Sequence, residues 1–144
     1  QRQMCIRDRR LGYCLCSDTE LLARMRAAGQ PWAVSSLAQA AGIAALDETE
    51  YVAKVRALIE AQRPVLADGL RALGLRVIEG RANYLLFRAP EALGEALRRK
   101  GAVLRSCGNY PGLDASWYRT AVRTENENRQ LLALLAETLP EVAQ

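Results

Sequence analysis

The sequence contains no histidine, only Lys54 and Lys100 as lysines, a single phenylalanine at Phe87, and no apolar run of membrane-spanning length. Without histidine, the side chain best suited to proton transfer at neutral pH is missing, and so is the commonest metal ligand. Cys5, Cys14, Cys16 and Cys107 show no C-x-x-C spacing, so a metal site is not expected and reduced thiols are. Neither a nucleophile elbow nor a glycine-rich phosphate loop occurs. The N-terminus carries no apolar signal core, and the expected location is cytoplasmic, with no membrane partner.

What is present is ordinary for a globular chain. Its 144 residues, 50% hydrophobic and 25% charged, suffice for one cored domain and part of another. The net charge of +4 comes almost wholly from arginine. These arginines are scattered among acids, which argues against a nucleic-acid partner. The compact run Arg98-Arg99-Lys100 falls at the end of an expected helix, where cations offset the negative end of the dipole.

Residues 1–9 are polar and without period, resemble translated adapter sequence, and are set aside as an expected non-native or artefactual leader. Leu11 to Cys16 suits a buried strand. Ser17 and Glu20 then form an expected capping box for a helix that Gly29 and Pro31 end. Val34, Leu37, Ala38, Ala41 and Ala45 recur at helical spacing, as do Tyr51, Val52, Val55, Leu58 and Ile59. Pro64 is expected to kink or interrupt that second run near Gln62. The pattern resumes through Leu70 and Leu73 to Gly74. Strands are expected at Leu75–Glu79, Asn83–Arg88, Ala102–Cys107 and Trp117–Arg123, with a helix from Pro90 to Gly101. Thr124 and Glu127 open a last capped helix. The order β-β-α-β-β-α describes an α/β chain ending in a small α+β domain, its mostly antiparallel sheet covered by helices on one face.

Chemistry is sparse. Arg119 and Arg123 lie four apart in one expected strand, which puts both on the same sheet face. A guanidinium fork matches carboxylate or phosphate through two parallel hydrogen bonds, so a small anionic substrate is one reading. Pairing with acids such as Glu125 or Glu127 is the other.

Several segments carry a resemblance. R-L-G-Y (Arg10 to Tyr13), P-W-A-V-S-S-L-A-Q-A-A-G (Pro31 to Gly42), R-A-N-Y-L-L-F-R (Arg81 to Arg88), L-R-S-C-G-N-Y-P-G-L (Leu104 to Leu113) and W-Y-R-T-A-V-R-T-E-N-E-N (Trp117 to Asn128) resemble, in order and spacing, the fold-type I pyridoxal-phosphate enzymes of the aminotransferase class I/II superfamily. Within it, the loop and final strand look most like threonine-phosphate decarboxylases of cobalamin biosynthesis. Histidinol-phosphate aminotransferases are the alternative, and a non-catalytic basic α/β module is the alternative of another class.

The resemblance implies pyridoxal 5'-phosphate as cofactor, a small phosphorylated amino acid as substrate and a homodimer when full length. It implies that Arg10 binds the cofactor phosphate and that Arg119 binds the substrate's acidic group. Asn83 matches a position near the pocket, Arg105 and Arg123 could complete a phosphate site, and Pro31-Trp32 matches a segment near a dimer interface. It further implies residues 10–46 as the end of a large domain with connecting helices and 47–144 as the small C-terminal domain. In such enzymes a lysine shortly before the arginine forms a Schiff base with the cofactor. Residues 1–9 contain no lysine. The chain is therefore expected to be a C-terminal fragment, inactive alone.

Overall fold

The computed structural model describes residues 15–30 and 34–142. The chain divides into two units, one ending at Val55 and the other beginning at Arg56.

The first unit is helical. Helix α1 (Thr19–Ala28) is capped by Asp18, whose carboxylate accepts from Leu21 N at 2.9 Å. The cap is thus one residue later than the expected Ser17. The reason is local: Asp caps as well as Ser, and from Asp18 the Glu20 side chain lies too early in the turn to reach back. Helix α2 (Ser36–Asp47) is capped by Ser35, which accepts from Ala38 N. Gly42 is the only buried residue of the two helices, and Leu37, one of the residues recurring at helical spacing, is exposed. The expected strand at Leu11–Cys16 falls largely outside the described residues; Leu15 and Cys16 belong to no strand.

Helix α3 (Thr49–Ala72) begins in the first unit and runs uninterrupted through Pro64. This corrects the expected interruption. An interior proline costs about 3 kcal/mol. Ile59 before it and Leu66 and Leu70 after it are buried, and each such side chain returns roughly 1.5–3 kcal/mol. Breaking the helix would forfeit more than the proline costs.

The second unit is a two-layer α+β structure. Strands β1 (Arg76–Ile78), β2 (Tyr84–Arg88), β3 (Arg105–Ser106) and β4 (Trp117–Ala121) form a sheet in the order β1-β2-β4-β3 with every pairing antiparallel. Helices α4 (Leu93–Arg99) and α5 (Glu125–Val142) complete it. Burial alternates along the central strands. Leu85, Phe87, Tyr118 and Thr120 are buried, and form the core with Leu66, Leu70, Leu93, Leu97 and Leu135. Phe87 and Tyr118 are register partners with ring centroids 6.1 Å apart. The Tyr118 hydroxyl donates to Glu91 O at 2.6 Å and accepts from Gly94 N at 3.2 Å, fastening β4 to the start of α4.

Two glycines act as expected. Gly74 and Gly101 adopt φ of 79° and 84°, the left-handed conformation that ends a helix without a Cβ clash. After α3, Leu75 N donates to Leu70 O and Gly74 N to Arg71 O; after α4, Ala102 N donates to Leu97 O and Gly101 N to Arg98 O. Both ends thus satisfy their orphan carbonyls and turn the chain sharply into the next segment. The Arg63 guanidinium donates to Gly80 O and Arg81 O, tying α3 to the β1–β2 turn.

Candidate anion-binding face

The strands leave their other face without covering helices in this unit. On it stand Arg76, Ile78, Tyr84, Leu86, Arg88, Trp117, Arg119, Ala121 and Arg105, all partly or fully exposed. Register fixes their neighbours: Arg88 lies between Arg76 and Trp117, and Arg119 between Leu86 and Arg105.

The arginines differ in how they are satisfied. Arg88 Nε donates to Ser116 Oγ at 2.9 Å and its terminal nitrogen lies 3.9 Å from Asp114. Hydrogen bonds from Ser116 hold the Asp114 carboxyl below the usual carboxylate range, with Arg88 adding to the effect. Arg76 sits over the Trp117 ring at 5.8 Å. Arg119 and Arg105 face each other directly across β3 and β4, and among the described residues no carboxylate pairs with either. Arg105 reaches only Asn109 Oδ1 at 3.4 Å, and Arg119 lies over the Tyr84 ring at 4.7 Å. Like charges opposed in register repel. An anion between them would turn that repulsion into two charge-assisted hydrogen-bonding forks.

Arg123, expected on the same strand face as Arg119, does not join this pair. The strand stops at Ala121, and Arg123 binds Glu127 Oε1 at 2.8 Å. The capping box claims it. Thr124 N and Oγ1 both donate to Glu127 Oε2, and with Arg123 they pull the Glu127 carboxyl down to about 2. Asn128 locks the same corner: its Oδ1 accepts from Arg123 N, and its Nδ2 donates to Arg123 O and Gln62 Oε1.

Asn83 stands one residue before β2, and its carbonyl accepts from Val122 N at 2.9 Å. Its neighbour Tyr84, which sequence inspection did not single out, is the residue in contact with Arg119. Period-two alternation puts Tyr84 on the face of Leu86, but only the β2–β4 register brings it to Arg119. Arg10 and Pro31-Trp32 lie outside the described residues.

Both lysines of the chain lie beside glutamates. Lys100 donates to Glu141 and Glu137 at 2.8 and 3.0 Å, and these carboxylates raise its pKa, holding it charged. Lys54 is exposed and lies 3.8 Å from Glu50. Among the described residues no cluster of side chains suits a metal ion, and no helix is long and apolar enough to cross a membrane.

Comparison with known proteins gives this face its context. The chain is 38% identical over 138 residues to a threonine-phosphate decarboxylase of Salmonella typhimurium, covering 93% of this chain and 38% of that protein. It is 38% identical over 135 residues to a histidinol-phosphate aminotransferase of Symbiobacterium thermophilum, covering 92% and 37%. The crystal structure of the histidinol-phosphate aminotransferase from Clostridium acetobutylicum superposes with a TM-score of 0.75 at 30% identity, covering 85% of this chain and 38% of that one. That of L-threonine-O-3-phosphate decarboxylase from Porphyromonas gingivalis gives 0.72 at 24% identity, covering 86% and 40%, a likeness of fold. The chain thus spans well under half the length of these relatives. The description "Aminotransferase class I and II" matches residues 6–135, and the chain belongs to that family, whose members depend on pyridoxal phosphate.

Proposed function

We propose that this chain is the substrate-anion-binding part of a pyridoxal-phosphate enzyme acting on a small phosphorylated amino acid, and that the reaction is decarboxylation of threonine phosphate. The observation that carries the proposal is the Arg105–Arg119 pair, two arginines opposed in register and, among the described residues, left without a carboxylate. Such a pair suits a dianion better than a single carboxylate, because it sets two positive charges against it, one of them on a held fork. Decarboxylation is chosen over amine transfer because the Cys107–Leu113 loop and the Tyr118–Arg123 segment look more like those of the decarboxylases than those of the histidinol-phosphate aminotransferases.

In this reading Arg119 and Arg105 bind and orient the substrate's anionic group, and residues 10–46 and 47–144 are the end of a large domain and the small domain. The reactive amine and most of the cofactor contacts come from the rest of the enzyme, while Lys54 and Lys100 are each engaged by glutamates. The bound cofactor supplies the electron-withdrawing ring that makes bond cleavage at Cα possible. The complete enzyme is read as a cytoplasmic homodimer.

The test uses the complete gene product, loaded with pyridoxal phosphate and given L-threonine O-3-phosphate. Release of carbon dioxide without a keto-acid acceptor is expected, with a KM raised at least tenfold in Arg119→Ala. Amine transfer from histidinol phosphate, dependent on a keto acid, would overturn the decarboxylase assignment in favour of the aminotransferase. The 144-residue chain mixed with pyridoxal phosphate and then borohydride is expected to incorporate no cofactor at stoichiometric level.

A further inference from the structure

We infer that Tyr84 is a positioning residue that holds the Arg119 guanidinium ready for an anion. The inference rests on the assignment of Arg119 and Arg105 as the anion-binding pair and deepens it.

A free guanidinium on an exposed sheet face has two ordinary fates. It can be claimed by a carboxylate, as Arg88 is approached by Asp114 and Arg123 is bound by Glu127. It can otherwise remain solvated and unordered. Arg119 does neither. Its Cζ lies 4.7 Å from the centre of the Tyr84 ring, inside cation–π range. An aromatic face attracts the cation's charge and leaves its N–H donors unused. It is therefore a neighbour that can order a guanidinium without occupying the fork that an incoming oxyanion needs.

The register strengthens the argument. Arg105 faces Arg119 from β3, whereas Tyr84 lies on β2, the strand on the other side of β4. Tyr84 is opposite Ala121, one step of the pleat from Leu86, so its ring reaches Arg119 diagonally across a small residue. Ring and like charge thus flank Arg119 from opposite sides. Tyr84 remains 41% exposed, and its hydroxyl makes no hydrogen bond among the described residues. Among the described residues, the cation that the ring face meets is Arg119.

The test follows inorganic phosphate binding to the 144-residue chain by NMR at low salt, reading the side-chain Nε–Hε resonances of Arg119 and Arg105. Tyr84→Leu is expected to weaken phosphate binding by about two- to fivefold, the range that an exposed cation–π contact supports. Before any phosphate is added, it should also remove the ring-current shift of the Arg119 Hε proton. Tyr84→Phe should bind within about twofold of the parent and keep that shift. Unfolding midpoints of the two variants report whether the fold itself has changed. A Tyr84→Leu chain that binds phosphate like the parent, or a Tyr84→Phe chain as weak as Tyr84→Leu, refutes the positioning role. If Arg119→Ala leaves phosphate binding intact, the anion-pair assignment fails first, and the inference falls with it.

Discussion

Gly69 offers the sharpest test of the packing beneath the anion-binding face. It lies in α3, and a Cβ added there would meet the side chain of Leu132 on α5: Cδ1 at 2.5 Å, Cδ2 at 2.9 Å and Cγ at 3.2 Å. Two effects of opposite sign then compete. Replacing an interior helical glycine by alanine stabilises the helix by about 1 kcal/mol. Forcing a methyl group into occupied space costs about 1–3 kcal/mol. Because Cγ is struck as well as both methyls, rotation at the end of the leucine cannot relieve the contact; the whole side chain must move. The clash should therefore win, and Gly69→Ala should lose about 1 kcal/mol.

The sign should reverse when the obstacle is removed. In a Leu132→Ala background the added Cβ has room, only the helix effect remains, and Gly69→Ala should gain about 1 kcal/mol. The measurement is urea unfolding of the parent, the two single variants and the double variant, followed by far-UV circular dichroism. A coupling energy of at least about 1 kcal/mol between the two sites is expected. If Gly69→Ala has the same effect in both backgrounds, the close approach of α3 and α5 at Gly69 is not as described here.

Two further outcomes follow from hydrogen bonds around β4. Tyr118→Phe removes a hydroxyl that bonds Glu91 O and Gly94 N, and should cost about 1–3 kcal/mol by urea unfolding while leaving secondary structure intact. Glu127 has its carboxyl pulled from an ordinary 4.5 down to about 2, so its contribution is present above pH ~4.5 and is lost as pH falls toward 2. The parent should therefore lose more stability than Glu127→Gln over that window in melting temperatures measured against pH. Parallel curves would dismiss the capping role.

The element order of the second unit was legible because its signals are local. Gly74 and Gly101 read as helix stops from residue type alone, and Thr124 with Glu127 read as a cap from its spacing. Strand limits were not legible. Ala102 to Cys107 has the composition of a full strand, yet only Arg105 and Ser106 pair in the ladder, with Cys107 N donating to Trp117 O just beyond them. Arg123 was misplaced for a similar reason: extended composition continues past Ala121, while the cap at Glu127 and the side chain of Asn128 take the chain out of the sheet. The interruption expected at Pro64 is absent because a local rule was overridden by burial on both sides of it. The contact between Tyr84 and Arg119 depends on the pairing of strands far apart in sequence, which no local pattern encodes.

The same topology makes the two arginines of the face unequal. Arg119 sits in β4, hydrogen-bonded on both sides, between two buried residues, Tyr118 and Thr120, and with a ring beneath its guanidinium. Arg105 sits on a two-residue edge strand and is exposed, with one long hydrogen bond to Asn109. A held fork gives directional, bidentate binding, whereas an exposed side chain contributes mainly charge, for which lysine is nearly as good. Arg119→Lys should thus weaken phosphate binding several-fold, while Arg105→Lys should change it by less than about twofold, with added salt eroding the Arg105 contribution first. Titration of inorganic phosphate into both variants decides the matter. Equal losses, or a larger loss at Arg105, would mean that the edge strand rather than β4 sets the geometry of the site.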